Sequence, residues 1–359
     1  MSALEQSGGA QEQAVGRPEA RGAGTHEPGA GAPALLELRD LTVAFPTRTG
    51  FAVAVNGVSL TVAPGQVTGI VGESGSGKTM ICRAILGLIP WPGAIVGGEI
   101  RWRGRDLVGA SASEMRRVRG REVAMIFQDP SSALDPVFTI GNQITEPLRV
   151  HLGRSRAAAE KEAIELLARV GIPSPRERFN AYPHQLSGGM RQRAMIAIAI
   201  SCKPGLVLAD EPTTSLDVTI QDQILGLLAE LRDEYGMSMV LVSHDLGVVA
   251  QNTDSVAVMY SGSIVETAPT SAVFAATRHP YTAALIEALP SIHVREPRVA
   301  LKPIPGQPPA LDALPPGCPF APRCRYTTEA CQSVDMTRVA VGPEHETACP
   351  FAEQVMVGA

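Results

Sequence analysis

A short apolar strand that runs straight into a glycine-rich loop and then a helix constrains this chain more than any other feature. Val67-Thr68-Gly69-Ile70-Val71 is followed without a gap by Gly72-Glu73-Ser74-Gly75-Ser76-Gly77-Lys78-Thr79, and from Met80 to Leu88 apolar residues recur at helical spacing. The loop matches G-x-x-x-x-G-K-[ST], and the strand and helix supply the setting that this phosphate-binding pattern requires. Its glycines let backbone amides close on a phosphate chain, and the following helix adds its positive N-terminal end. Lys78 is expected to bridge the β- and γ-phosphates of a nucleoside triphosphate. Thr79 is expected to ligate Mg2+, with Met80 continuing the binding run. A chance glycine-rich turn is the competing reading, and in a chain poor in lysine it would be a rare coincidence.

Other segments extend the same architecture. Leu35–Phe45 and Val53–Val62 alternate as antiparallel strands do. Val123-Ala124-Met125-Ile126-Phe127, Leu206-Val207-Leu208-Ala209 and Met239–Val242 read as short buried strands, and Ile140–Leu152, Arg156–Val170, Gly189–Ile200 and Val218–Tyr235 as helices. Strands alternating with helices predict an α/β fold with a parallel sheet covered on both faces. The helices between about 130 and 200 read as a block inserted between two halves of that sheet. Residues 1–33 are rich in Gly, Ala, Pro, Gln and Glu with no aromatic. Such a composition does not offset its ordering entropy, so the segment is expected to be a disordered tail. Past a short helix ending near Leu289, Pro303 to Pro322 holds eight prolines and reads as an extended linker. The division is therefore 1–33, a nucleotide-binding domain over 34–290, and a linker with C-terminal extension over 291–359.

Composition excludes some function classes. The net charge of −5 lacks the basic balance of a dedicated nucleic-acid binder. There is no run of about eighteen or more apolar residues, so the chain is not expected to span a membrane by itself. The N-terminus has no apolar signal core, and its Glu residues argue against a transit peptide, so a cytosolic chain is expected. The six cysteines then read as free thiols or metal ligands before they read as disulfides.

Several polar residues stand where chemistry would need them. Asp210-Glu211 ends a buried strand, at the carboxyl end of the sheet where open α/β folds bind ligands. Asp210 is expected to hold Mg2+ with its waters, and Glu211 to polarise an attacking water as general base. A helix N-cap acid is the plain alternative. His244, just past strand Met239–Val242, is placed to donate to the γ-phosphate. Gln128, at the end of strand Val123–Phe127, is placed to reach Mg2+ and the water. Alone, each would be an ordinary residue at a strand end. Leu186-Ser187-Gly188-Gly189-Met190 precedes Arg191-Gln192-Arg193 and an apolar helical run, and Ser187 can simply cap that helix.

The phosphate loop, Gln128, Ser187-Gly188-Gly189, Asp210-Glu211, Ser215-Leu216-Asp217 and His244 occur in the order and rough spacing of an ABC transporter ATPase. Over about residues 34–290 the chain resembles such a subunit. More narrowly it resembles the dipeptide/oligopeptide and nickel importer family. That likeness rests on Gly-Glu-Ser-Gly-Ser-Gly-Lys at 72–78, Met-Ile-Phe-Gln-Asp-Pro at 125–130, Tyr-Pro-His-Gln-Leu-Ser-Gly-Gly-Met-Arg-Gln-Arg at 182–193, Ala-Asp-Glu-Pro-Thr-Thr at 209–214 and Arg-His-Pro-Tyr-Thr at 278–282. Met190 replaces the Gln of the general signature, as is common in the D-type subunit of this family.

The resemblance implies an ABC ATPase cassette: a RecA-like parallel sheet core, an antiparallel β-subdomain and a helical subdomain, followed by a cysteine-containing C-terminal extension. It implies ATP and Mg2+ as cofactors, and ATP hydrolysis that drives import of peptides, with nickel or another small solute as alternative cargo. Two ATPase subunits would close head to tail on two ATP molecules, with Leu186–Met190 of one reading the ATP of the other and Ser215-Leu216-Asp217 as the D-loop. Phe45 would stack on adenine, with Phe51 as second candidate. The implied partners are a second ATPase, homologous or identical, two membrane permeases contacted through the Gln128 loop and helical block, and an extracytoplasmic solute-binding protein. No nucleic acid is implied, and the place of work would be the cytoplasmic face of the membrane. A soluble ABC ATPase acting on DNA or ribosomes and an exporter ATPase are the competing classes. A single cassette, a short helical block and the 278–282 motif favour the importer.

Cys318, Cys324, Cys331 and Cys349 have the spacing C-x5-C-x6-C-x17-C. Their wording, Cys318-Pro319-Phe320 and Arg323-Cys324, is typical of this family's tail, where the resemblance implies a 4Fe-4S cluster on four thiolates. The spacing alone matches neither ferredoxins nor zinc ribbons, so zinc and unligated thiols stay open, with His345 as a substitute ligand. Cys82 and Cys202 read as packing residues.

Overall fold

The computed structural model describes residues 34–48, 50–214, 217–289 and 303–355. The expected disorder of 1–33 lies outside these residues. The chain opens with two long strands, β1 (Leu36–Pro46) and β2 (Phe51–Val62), then the short strand β3 (Val67–Val71) and helix α1 (Lys78–Ile85). Next come β4 (Ala94–Trp102), β5 (Arg105–Asp106), α2 (Ala112–Val118) and β6 (Val123–Ile126). The helical block holds α3 (Pro130–Ala133), α4 (Ile140–Leu152), α5 (Arg156–Arg169), α6 (Pro175–Phe179) and α7 (Gly188–Ile200). The core resumes with β7 (Leu206–Asp210), α8 (Val218–Tyr235), β8 (Ser238–Ser243), α9 (Leu246–Asn252), β9 (Ser255–Tyr260), β10 (Ser263–Pro269), α10 (Thr270–Ala276) and α11 (Pro280–Glu287). A hairpin of β11 (Val339–Gly342) and β12 (His345–Thr347) lies in the C-terminal extension.

These elements form the α/β architecture that the alternation predicts. One sheet is antiparallel, in the order β2-β1-β4-β5. The other runs β11-β12-β10-β9-β3-β8-β7-β6, and its strands β9, β3, β8, β7 and β6 are mutually parallel. Every residue of β3, β6, β7 and β8 is buried, which is why they read as continuous apolar runs rather than alternating ones. One apolar core fills the space between the two sheets and includes Ile70, Ile81, Val240 and Trp102; the Trp102 indole, fully buried, donates to Glu122 at 2.6 Å. A second lies between the parallel sheet and the helical block, with Ile140, Leu167, Ile196 and Leu228. Each fully buried aliphatic side chain of this kind stabilises the fold by about 1.5–3 kcal/mol.

The helices of the block begin where the sequence supplies caps. Thr139, Ser155 and Ser187 accept from backbone amides at the heads of α4, α5 and α7, and Gly153 ends α4 in the left-handed region. Residues 303–322 contain neither strand nor α-helix, as their prolines dictate. The extension nevertheless joins the core sheet: β12 pairs with β10 through Glu266↔Thr347 and Thr267↔Glu346, so strand pairing crosses the boundary drawn at residue 290.

Candidate active site

The glycine-rich loop links β3 to α1 at the carboxyl end of the parallel sheet. Two of its glycines are required by contact. A Cβ on Gly72 would lie 2.1 Å from the Met259 carbonyl oxygen, and one on Gly77 would lie 2.2 Å from that of Ala54, where φ is also +103°. The loop therefore lies against β2 on one side and β9 on the other. Ser76 is buried, and its hydroxyl has no partner among the described residues. Lys78 folds back, donating to the carbonyls of Gly72 at 2.7 Å and Glu73 at 2.9 Å. Burial lowers its pKa, and the carboxylates of Glu211, Asp210 and Glu73 oppose that shift. A loop whose glycines let it pack closely on two strands, a buried unpaired hydroxyl and a lysine resting on carbonyls fit a triphosphate.

The acidic pair stands beside this loop. Thr79 donates to Asp210 at 3.0 Å, bringing together the two side chains expected at Mg2+. Burial raises the pKa of Asp210, and the Thr79 bond works the other way. Glu211 follows at φ 46°, an uncommon conformation for a non-glycine residue. One of its carboxylate oxygens gathers three groups: Gln128 and Thr214, each donating at 2.9 Å, and His244 Nδ1 at 3.2 Å. Gln128, Glu211 and His244, which come from the ends of three strands, thus meet at one atom. The sequence marks Thr214 only as part of the 209–214 wording, with no role of its own.

The other motif residues lie elsewhere. Leu186 is buried, whereas Ser187 and Gly188 are exposed at the head of α7, with open space where a Gly188 Cβ would be. Ser187 caps α7 by accepting from the Met190 amide at 3.4 Å, so the plain capping role holds, and it leaves the segment facing solvent. Gly189 approaches Ile220 of α8, and Met190 packs on the helical core. Gln192 donates to the Pro212 carbonyl, which ties the helix behind this segment to the loop after Glu211. Ser215 and Leu216 lie outside the described residues; Asp217 caps α8 through the Ile220 amide at 3.0 Å. Phe45 is half-buried against Gly93, while Phe51 is 65% exposed at the start of β2, three residues from the Ala54 carbonyl that abuts the loop.

Glu73 is engaged by the C-terminal extension. Its carboxylate is held by Arg323 through two hydrogen bonds, at 2.7 and 2.9 Å, and its amide donates to the Tyr281 hydroxyl at 2.8 Å. Tyr260 completes the group, accepting from Arg323 at 3.2 Å. None of Tyr260, Tyr281 and Arg323 had been read as part of the site. Tyr281 lies in the 278–282 motif and Arg323 abuts Cys324, so both were legible only as family markers.

The cysteines of the extension gather nearby. Burial pushes the Cys349 thiol up to about 11, and Cys318, Cys324 and Cys331 add to the push. Backbone amides of Phe320 and Ala321 address Cys318, that of Tyr326 addresses Cys324 at 3.4 Å, and that of Phe351 addresses Cys349. No group of three or more His, Cys, Asp or Glu side chains among the described residues stands ready to hold a metal ion. His345 is not a spare ligand: it is buried against Glu266, with Nε2 2.8 Å from the carboxylate. Cys82 and Cys202 are buried packing residues.

Residues 55–214 match the ABC transporter family, and residues 265–331 match the C-terminal region of oligopeptide/dipeptide transporters. A putative peptide import ATP-binding protein of Brucella melitensis is 47% identical over 325 residues, covering 88% of this chain and 96% of that protein. The dipeptide transport ATP-binding protein DppD of Escherichia coli is 46% identical over 318 residues, covering 89% and 97%. The chain belongs to the ATP-binding subunits of peptide ABC importers. Among solved structures, the ATP-binding cassette MJ0796, a dimer bound to ADP and Pi, matches with a TM-score of 0.60 at 26% identity, covering 66% of this chain and 98% of that one. The activity of this family is ATP hydrolysis coupled to transport. No helix among the described residues is long and apolar enough to cross a membrane.

Proposed function

We propose that this chain hydrolyses ATP at an interface shared with a second ATPase subunit and thereby drives peptide import through two permeases. The observation that carries the reading is the convergence of Gln128, Thr214 and His244 on one Glu211 oxygen beside the Thr79–Asp210 pair. In the proposed mechanism the loop amides and Lys78 bind the phosphates of ATP; Thr79 and Asp210 would hold Mg2+, with Gln128 as a further candidate ligand, and the ion when bound would offset the phosphate charge. Glu211 takes the proton of the attacking water. His244 donates to the γ-phosphate and keeps Glu211 aimed. Little covalent work falls to the protein; positioning and charge stabilisation lower the barrier. Phe51 is the better stacking partner for adenine than Phe45, because it is exposed and lies about 10 Å along β2 from the loop.

Leu186–Met190 would complete the partner's site, and the exposure of Ser187 and Gly188 at the head of α7 supports that role. Val137 and Phe138, 71% and 51% exposed just past the Gln128 loop, offer an apolar patch for permease loops. The chain would then work at the cytoplasmic face of the membrane, beside permeases that receive cargo from a solute-binding protein. Replacing Glu211 with Gln tests the reading: ATP binding is expected to persist while turnover falls about a hundredfold or more. Turnover within a few-fold of the parent would overturn it.

The cysteine reading rests on the family wording of the extension rather than on geometry: backbone amides address three of the four thiols, but among the described residues no three of them stand together as a metal site. When bound, a 4Fe-4S cluster on Cys318, Cys324, Cys331 and Cys349 would cross-link the extension through four Fe–S bonds. Anaerobically purified protein should carry iron and absorb in the visible range, and Cys324→Ser should lose both signals; iron-free parent protein would refute the assignment.

A further inference from the structure

The contact between the extension and the phosphate loop has no counterpart in the roles assigned so far. Arg323 stands one residue before Cys324, and its side chain is only 5% exposed. Both oxygens of Glu73 accept from its guanidinium. Its Nε donates to the Pro305 carbonyl at 2.8 Å, and the Tyr260 hydroxyl takes a further bond, so the fork is held from three sides. The turn that presents it is closed by Ala321 and Cys324 amides donating to Cys318 and Ala321 carbonyls, and Cys318 in turn donates to the Cys331 carbonyl. The cysteine-bearing loop therefore sets where Arg323 sits. At the other end, the Glu73 carbonyl accepts from Lys78, the residue that must swing onto the phosphates.

We propose that Arg323 is a positioning residue for ATP binding, through which the C-terminal extension sets the shape and charge of the phosphate loop by clamping and neutralising Glu73. An anionic side chain within the loop opposes a polyanionic ligand unless a cation offsets it. A bidentate guanidinium does this and also fixes geometry, which an ammonium does less well. The inference rests on the reading of residues 72–79 as the ATP cradle, and the test separates the two.

The test measures equilibrium binding of a fluorescent ATP analogue to the full chain and to four variants. Lys78→Ala checks the cradle itself: if it binds as the parent does, the ATP-site reading fails. With that control weakened as expected, Arg323→Gln should bind roughly tenfold more weakly than the parent. Adding Glu73→Gln to Arg323→Gln should recover most of the loss, because the uncompensated carboxylate is gone. A residue that merely held the fold would show no such recovery. Affinity within twofold of the parent in folded Arg323→Gln, or a double variant no tighter than Arg323→Gln, would overturn the proposal. If Arg323→Gln does not fold, Arg323→Lys decides: it keeps the charge, loses the fork and should weaken binding about threefold, and parental affinity there would equally overturn it.

Discussion

Glu211 carries the site in an uncommon backbone conformation, at φ 46°, with Gln128, Thr214 and His244 around one of its oxygens. That geometry costs on the order of 1–3 kcal/mol and persists only because neighbouring bonds over-determine it. Gly77 is the complementary case. Its positive φ and the Ala54 carbonyl 2.2 Å from a would-be Cβ leave no room for any side chain. Gly77→Ala is therefore expected to weaken ATP binding more than tenfold by displacing the loop, while circular dichroism shows a folded chain; parental affinity would mean that the loop yields. Local residues such as these were legible in the sequence, because the loop's pattern depends on near neighbours in the chain. The partner of Glu73 was not, because Arg323 lies 250 residues away and only packing brings it there.

At the scale of single elements, α11 shows what a motif can conceal. His279 caps it by accepting from the Tyr281 amide at 3.1 Å, Pro280 fills the first helical position, and the Tyr281 ring packs on Tyr260 and Phe320. His279 is fully buried, and burial depresses its pKa to about 4, opposed by the Glu266 carboxylate. The unfolded chain takes up this proton near pH 6.5, whereas the folded chain does so only near pH 4. In that window the unfolded state binds more protons, so this group's contribution to stability falls as pH drops from about 6.5 to 4, by at most about 1.4 kcal/mol per unit. His279→Asn keeps a capping side chain and removes the proton site. Its melting temperature should depend less on pH across that window; an unchanged slope would assign the dependence to other groups. Strand β4 escaped the sequence reading because Gly97 and Gly98 break its alternation. A bulged register opposite Asp40–Thr42 absorbs them, and Gly98 sits where a Cβ would clash with the Asp40 carbonyl.

For the whole molecule, the proposed function gives one chain both halves of a composite site. In that proposal the phosphate loop, Asp210, Glu211 and His244 would form one half at the carboxyl end of the parallel sheet, and Leu186–Met190 the other at the head of α7. Ser187→Arg should leave ATP binding at the chain's own loop near parental while lowering turnover about a hundredfold or more, with ATP-dependent dimerisation lost in size-exclusion chromatography. A variant that dimerises and turns over normally would separate this segment from the partner's nucleotide. The extension belongs to this scale as well. A composition shift marks it off in sequence, yet β12 adds to β10 and Phe320 enters the aromatic cluster under α11, so it is built into the catalytic sheet.

The sequence by itself determined the α/β class, the strand–loop–helix cradle, the acidic pair and the order of motifs that marks the family. Each depends on short-range periodicity or on spacing along the chain, which composition and sterics impose locally. Only the tertiary structure decided that Gln128, Thr214 and His244 share one Glu211 oxygen, that Phe51 rather than Phe45 stands free, that His345 belongs to Glu266, and that Arg323 grips the phosphate loop. Those facts depend on the packing of elements far apart in the chain, and no local pattern encodes which distant side chain will arrive at a given atom.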